Sequence, residues 1–165
     1  MHFQGNVKQC GKFPFEVRRS GLLVAKGEFD NGMTTVGLTA LASTELGGGT
    51  QYTTWYMGLI SNSGYSALAV GDTASSHSGW TELASYDEAT RPSLTFGAAA
   101  GGIIATSSVC TFTISATVAI KGAFIISNST KSGTTGILRA TGIFSSVQNL
   151  ADNDVLTVNY SSTFS

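Results

Sequence analysis

Charge, proline, cysteine and histidine are all scarce in this chain. Only 12% of its 165 residues are charged, and proline, cysteine and histidine occur twice each. Two histidines and two cysteines leave few of the side chains that most often move protons or hold soft metals. Nine basic residues against ten acidic ones give a net charge of −1. That balance argues against direct nucleic-acid binding, which rests heavily on neutralising phosphates. Long apolar runs are missing as well. The most apolar stretch, residues 96–105, is ten residues long and rich in glycine and alanine. A helix crossing a bilayer needs about 20 residues, so no membrane partner is expected. The opening MHFQGNVKQCGKF lacks the apolar centre of a secretory signal, which predicts cytoplasmic synthesis.

What is present suits a β-rich domain. Apolar residues reach 42%, and glycine, serine and threonine contribute 20, 21 and 21 residues. This length fits one domain. A chain of this mass can bury roughly two thirds of its unfolded surface without a metal or disulfide. Cys10 and Cys110 stand far apart with no further cysteine, so Cys110 reads as a buried free thiol.

Residues 1–12 read as an irregular N-terminal arm, and 13–165 as a single β-domain. Five of the nine basic residues precede position 27, so this end is locally positive. Phe13–Arg19 and Leu22–Phe29 predict a hairpin turning at Ser20-Gly21. Asp30-Asn31-Gly32 is expected to end its second strand. The stretch 34–46 changes to helical period, with Thr34 or Thr35 as N-cap and Val36, Ala40 and Leu41 sharing a face with Met33. Gly47–Gly49 stop it.

Tyr52–Ile60 predicts a central strand, because both of its faces carry large apolar groups. Residues 61–91 form a long polar connection in which Thr73 could cap a short helical turn through His77. Leu94–Phe96 is a short strand after Pro92. Val109–Val118 alternates cleanly, with Cys110, Phe112, Ile114, Ala116 and Val118 on one side. Ile120–Ser127, Ile137–Phe144 and Val155–Ser161 complete seven to nine strands, the last entered through Asn153-Asp154. The fold class is therefore all-β, a sandwich or jelly roll with one short helix.

Chemistry-bearing residues are sparse. His77 has serines and Asp72, Glu82, Asp87 and Glu88 near it in sequence. A triad needs a base close to a nucleophile and a third group to orient it, and sequence proximity alone supplies neither. His77 is expected to hydrogen-bond within an ordered loop. Oxygen ligands for calcium could come from Asp72, Asp87, Glu88, Asp152 and Asp154. No D-x-[DN]-x-[DN]-G run joins them, so no metal or other cofactor is assigned. Nor is any catalytic residue. Tyr52, Trp55, Tyr56, Tyr65, Trp80 and Tyr86 could stack on sugars or bases. Trp55 and Tyr56 must face opposite ways on one strand, so packing in a core or subunit interface accounts for them better. Asn128-Ser129-Thr130 and Asn159-Tyr160-Ser161 are chance matches to a glycosylation acceptor.

The order of several segments carries a resemblance. Thr54–Ile60 (TWYMGLI) is followed by Gly71-Asp72-Thr73, then His77–Glu82 (HSGWTE) and Tyr86–Pro92 (YDEATRP). Lys121-Gly122-Ala123-Phe124 and Ser129–Gly136 (STKSGTTG) come later. From about Phe13 onward this succession resembles small structural proteins of tailed bacteriophages, in the capsid cement or decoration group. The resemblance implies a non-enzymatic β-domain on the outer capsid surface of the virion. There it would work as a homo-oligomer and tie capsomers of the major capsid protein together. It supplies no catalytic residue. It also implies a structural loop from Trp80 to Pro92, in which Arg91 would pair with Asp87 or Glu88.

Low charge and abundant hydroxyls fit many identical copies packed at wet interfaces. Residues 1–12 are expected to lie over a neighbouring subunit, with Lys8, Lys12, Arg18 and Arg19 meeting acidic groups of the shell. The alternative is a phage tail or fibre component that binds host-surface glycan through its tyrosines and tryptophans. An acidic pair in an aromatic groove would add turnover to such a role.

Overall fold

A computed structural model describes residues 9–164. Eleven strands and one helix follow in the order β1 (Gln9–Arg19), β2 (Leu22–Met33), α1 (Thr35–Leu46), β3 (Trp55–Ser61), β4 (Glu82–Leu83), β5 (Ser93–Leu94), β6 (Ile103–Ala105), β7 (Cys110–Thr113), β8 (Val118–Ile126), β9 (Leu138–Leu150), β10 (Val155–Val158) and β11 (Ser161–Phe164). All belong to one antiparallel sheet with the path β4-β3-β8-β9-β2-β1-β10-β7. Off that path, β11 pairs with β1 and β6, and β5 with β3. The fold is mostly β with one short helix, and the sheet curls. Its two ends approach each other, where Tyr86 bridges Ile114 and Asp87 N donates to Thr113 O at 2.8 Å.

The curl follows from small residues. β3, β8 and β9 run side by side with Gly58, Gly122, Ala123 and Gly142 at their contacts. A Cβ on Gly122 would lie 2.0 Å from Gly142 O, and the register shifts at that point. A Cβ on Gly142 would lie 2.7 Å from Asp30 O. Without side chains there, the strands bend and close on themselves.

Period-2 alternation divides the apolar residues between two clusters. The inner one draws Phe13, Phe15, Val17, Met57, Leu59, Phe112, Ile125 and Leu156 from strands all along the path. Phe29 stacks on Phe13 at 4.9 Å, and Phe144 meets Phe15 and Phe29 at 4.6 and 4.5 Å. Each such ring contributes about 1.5–3 kcal/mol through burial. On the opposite face of β3, β8 and β9, Ile60, Phe124, Ile126 and Leu138 pack against Ala74 and Trp80 of the long connection, with Val36 of α1 against them.

The predicted hairpin is present, and Ser20 and Gly21 take φ of 48° and 81° at its turn. The helix begins as expected. Thr34 Oγ1 accepts from Gly37 N at 3.1 Å, and Gly47 caps the other end. Val36, Ala40 and Leu41 face inward and are half-buried. Several expectations need correction. β1 starts at Gln9, so residues 9–12, read as part of the arm, pair with β11, and Gly11 and Lys12 pair with β2 as well. Residues 1–8 lie outside the described residues. Asp30–Gly32 does not end β2, because Asn31 and Gly32 pair with Gly142 and Thr141 of β9. Thr73–His77 forms no helical turn. A tight bridge joins Thr73 to Ser76 instead. The alternation at 109–118 breaks after Ile114, with Ser115, Ala116 and Thr117 exposed where the chain leaves β7 for β8.

Candidate functional site

The polar residues singled out in the sequence are dispersed. Asp72 is buried in the long connection, where its Oδ2 accepts from Ala69 N and Trp80 Nε1, both at 2.9 Å. His77 stacks on the Trp80 ring at 4.0 Å, and its Nδ1 lies 3.0 Å from Trp80 O. The ring thus helps order a loop. Glu88 accepts from Thr113 N at 3.0 Å, on the far side of the sheet path. Asp154 takes both ends of the Arg19 guanidinium, at 2.8 and 2.6 Å. That pairing, with Ala151 N, holds the Asp154 carboxyl below its usual range despite its burial. Asp152 accepts from Asn153 Nδ2. Among the described residues, no three His, Cys, Asp or Glu side chains gather around one point.

Arg91 does not pair with Asp87 or Glu88. It forms a two-pronged ion pair with Glu82, Nε to Oε1 at 2.8 Å and Nη2 to Oε2 at 2.6 Å. Both side chains are buried, 2% and 6% exposed. Arg91 also donates to Asn128 O, and Ser132 N donates to Glu82 Oε2. The planar fork matches the carboxylate, and the remaining donors reach loop carbonyls. Two segments, 82–91 and 128–133, are clamped together this way. Lys131 adds to the clamp through Tyr86 O and sits 3.8 Å from the Tyr86 ring centre.

The basic end carries its own carboxylate partners. Lys12 pairs with Glu28, Arg18 with Glu16 and Arg19 with Asp154. Three of the four cations expected to meet a shell are matched within the chain, and Lys8 lies outside the described residues. Cys110 is buried, and burial pushes its thiol up to about 12.

Of the six aromatic residues, Trp80 and Tyr86 belong to the two cores. Tyr56 and Tyr65 pack on the outer cluster. Trp55 faces the opposite way from Tyr56, as strand alternation requires, and packs against the inner cluster at the start of β3. Tyr52 sits 5.7 Å from it and the Arg139 guanidinium 5.3 Å. With Phe96, Ile104, Tyr160 and Ser162 they line an open cavity of about 380 Å³. Among the described residues no carboxylate lines it, and the acidic pair that glycan turnover would use is not found among them at this mouth. Arg139, Tyr160 and Ser162 were not singled out for chemistry in the sequence. The available signal for Arg139 was a lone cation inside the apolar strand Ile137–Phe144.

The second exposed feature is the hairpin tip. Leu22, Leu23 and Val24 are 73%, 44% and 52% exposed. β2 pairs with β1 along its length but with β9 only from Asn31 to Met33. Among the described residues its other edge is bare from Leu22 to Asp30. No protein-family model and no curated protein sequence matches this chain.

Proposed function

We propose that the protein is a non-enzymatic structural component of a tailed-bacteriophage virion. It acts as a capsid cement or decoration protein, binding the outer shell as a homo-oligomer with the major capsid protein as partner. The observation that carries this role is the bare edge of β2 with three consecutive exposed apolar side chains at its tip. An unprotected strand edge offers backbone donors and acceptors to another chain, and the apolar row adds burial. Repeated around a shell, such contacts gain through multivalency. A sandwich or jelly-roll architecture is supported by the curl and by the packing on both faces of β3, β8 and β9.

Because Lys12, Arg18 and Arg19 already have carboxylate partners, attachment depends on strand pairing and apolar burial. Salt therefore weakens it little. Cryo-electron microscopy of whole virions tests the proposal. Density on the outer face at capsomer junctions is expected, with β2 towards the shell or a sister copy. Density confined to the tail overturns the location. The aromatic mouth around Trp55 favours a second reading, a tail or fibre component that engages host-surface glycan.

A further inference from the structure

We propose that the mouth around Trp55 is a binding site for a saccharide unit bearing one carboxylate, such as a hexuronate. This gives the second reading its chemistry, yet it stands on the cavity alone and holds wherever the protein sits in the virion.

The cavity of about 380 Å³ falls within the range of small-molecule sites. Buried polar groups on its wall and behind it are unsatisfied. Tyr160 Oη, Asn31 Oδ1 and Gln9 Oε1 are buried with no hydrogen-bond partner. Tyr160 is only 2% exposed and lines the cavity. Gly11 brings two of these oxygens together. A Cβ there would stand 2.0 Å from Asn31 Oδ1 and 2.8 Å from Tyr160 Oη, so the absent side chain lets these two groups close in beside Gly11. Gln9 reaches the same corner, its Nε2 donating to Ser162 Oγ at 2.6 Å while its Oε1 stays unmatched. Buried oxygens without partners are costly, and amide oxygens can only accept. They call for a ligand rich in hydroxyl donors.

Tyr52 and Trp55 supply rings for the C–H faces of a sugar. Arg139 selects the acid. Its guanidinium lies over Trp55, and no carboxylate pairs with it among the described residues. A neutral sugar would leave that charge unmatched. A simple aliphatic acid would leave the acceptors unmatched. A phosphate dianion would bring a second charge with no cation to meet it.

The test uses the full chain in solution and follows the two tryptophan indole N–H signals by NMR. Trp80 is an internal control, because its Nε1 is held by buried Asp72 Oδ2. Titration with sodium D-glucuronate is expected to move the Trp55 signal saturably and leave Trp80 still. D-glucose and sodium acetate should each bind about tenfold more weakly or worse, since each lacks one charge-assisted or hydroxyl contact. Arg139→Gln should remove that preference for glucuronate over glucose, while Arg139→Lys retains part of it. Tyr160→Phe should weaken both sugars. No saturable Trp55 shift up to roughly 50 mM ligand overturns the proposal. So does equal binding of glucose and glucuronate, or full glucuronate affinity in a folded Arg139→Gln variant. Virion microscopy addresses the location separately, so either result can fail without the other.

Discussion

Replacing Arg91 with methionine removes a charge whose partner cannot reach water. Glu82 would keep its carboxylate buried, with the Ser132 N–H at 2.7 Å as its remaining named donor. Asn128 O would lose the donor that now reaches it at 2.9 Å. Methionine fills much of the vacated volume, so the cost is mainly electrostatic. Breaking one partner out of a buried pair costs about 3–5 kcal/mol. Against a total stability of roughly 5–15 kcal/mol, that is a large share. At about 2–4 °C per kcal/mol for a chain of this size, the melting temperature should fall by ~6–20 °C. Thermal and urea unfolding followed by tryptophan fluorescence and far-UV circular dichroism would measure the loss. The double variant Arg91→Met, Glu82→Leu removes the stranded charge and should regain more than half of the loss. A single-variant cost below about 1 kcal/mol would refute the clamp as a buried, uncompensated pair. A double variant no more stable than Arg91→Met would refute the electrostatic origin of the loss.

Four further outcomes follow from named contacts. The Asp154 carboxyl is held below its ordinary 3.8 by Arg19, so its contribution is complete above that value and is lost as pH falls through the folded value. Asp154→Asn should flatten the acid limb of a plot of urea midpoint against pH, and an unchanged limb would contradict the pairing. Thr34→Ala removes the acceptor for Gly37 N and a buried donor to Leu138 O, and should cost about 1–2 kcal/mol in urea unfolding. Thiol titration in native buffer should count Cys10 alone, with Cys110 reacting only after denaturant is added. Leu22→Lys with Val24→Lys should change stability by within about 0.5 kcal/mol yet reduce particle occupancy, read by quantitative gel analysis of purified virions. Normal occupancy would remove the β2 edge from the attachment mechanism.

The legible parts of this fold were those set by neighbours in sequence. Ser20-Gly21 fixes its own turn, Thr34 caps its own helix, and Met57, Leu59 and Ile60 announce a strand buried on both sides. What escaped depends on partners far along the chain. Asn31 and Gly32 read as a break, yet Gly142 and Thr141 supply their hydrogen bonds. Arg91 has Asp87 and Glu88 within four positions, yet backbone direction carries it to Glu82 and the carbonyl of Asn128. The mouth was half visible. Tyr52 and Trp55 stood out by type, whereas Tyr160 read as part of the closing strand Val155–Ser161 and Gly11 as part of an arm. Their role comes from long-range pairing, which sets residues 9–12 beside residues 161–164.

The pairing of β1 has a kinetic consequence. One of its edges is met by β2, next door in sequence, and the other by β10 and β11. Gln9 and Ser162 touch although they are 153 positions apart. During translation the hairpin can form early, but Phe13, Phe15 and Val17 then wait with half their lattice missing until residues 155–164 have left the ribosome. Closure is a late, long-range step, of the kind that places folding in the range of milliseconds to seconds. Until it happens the nascent chain presents two open edges, β1 and β2, and high local concentrations of unfinished copies would favour exchange of the last two strands between neighbours.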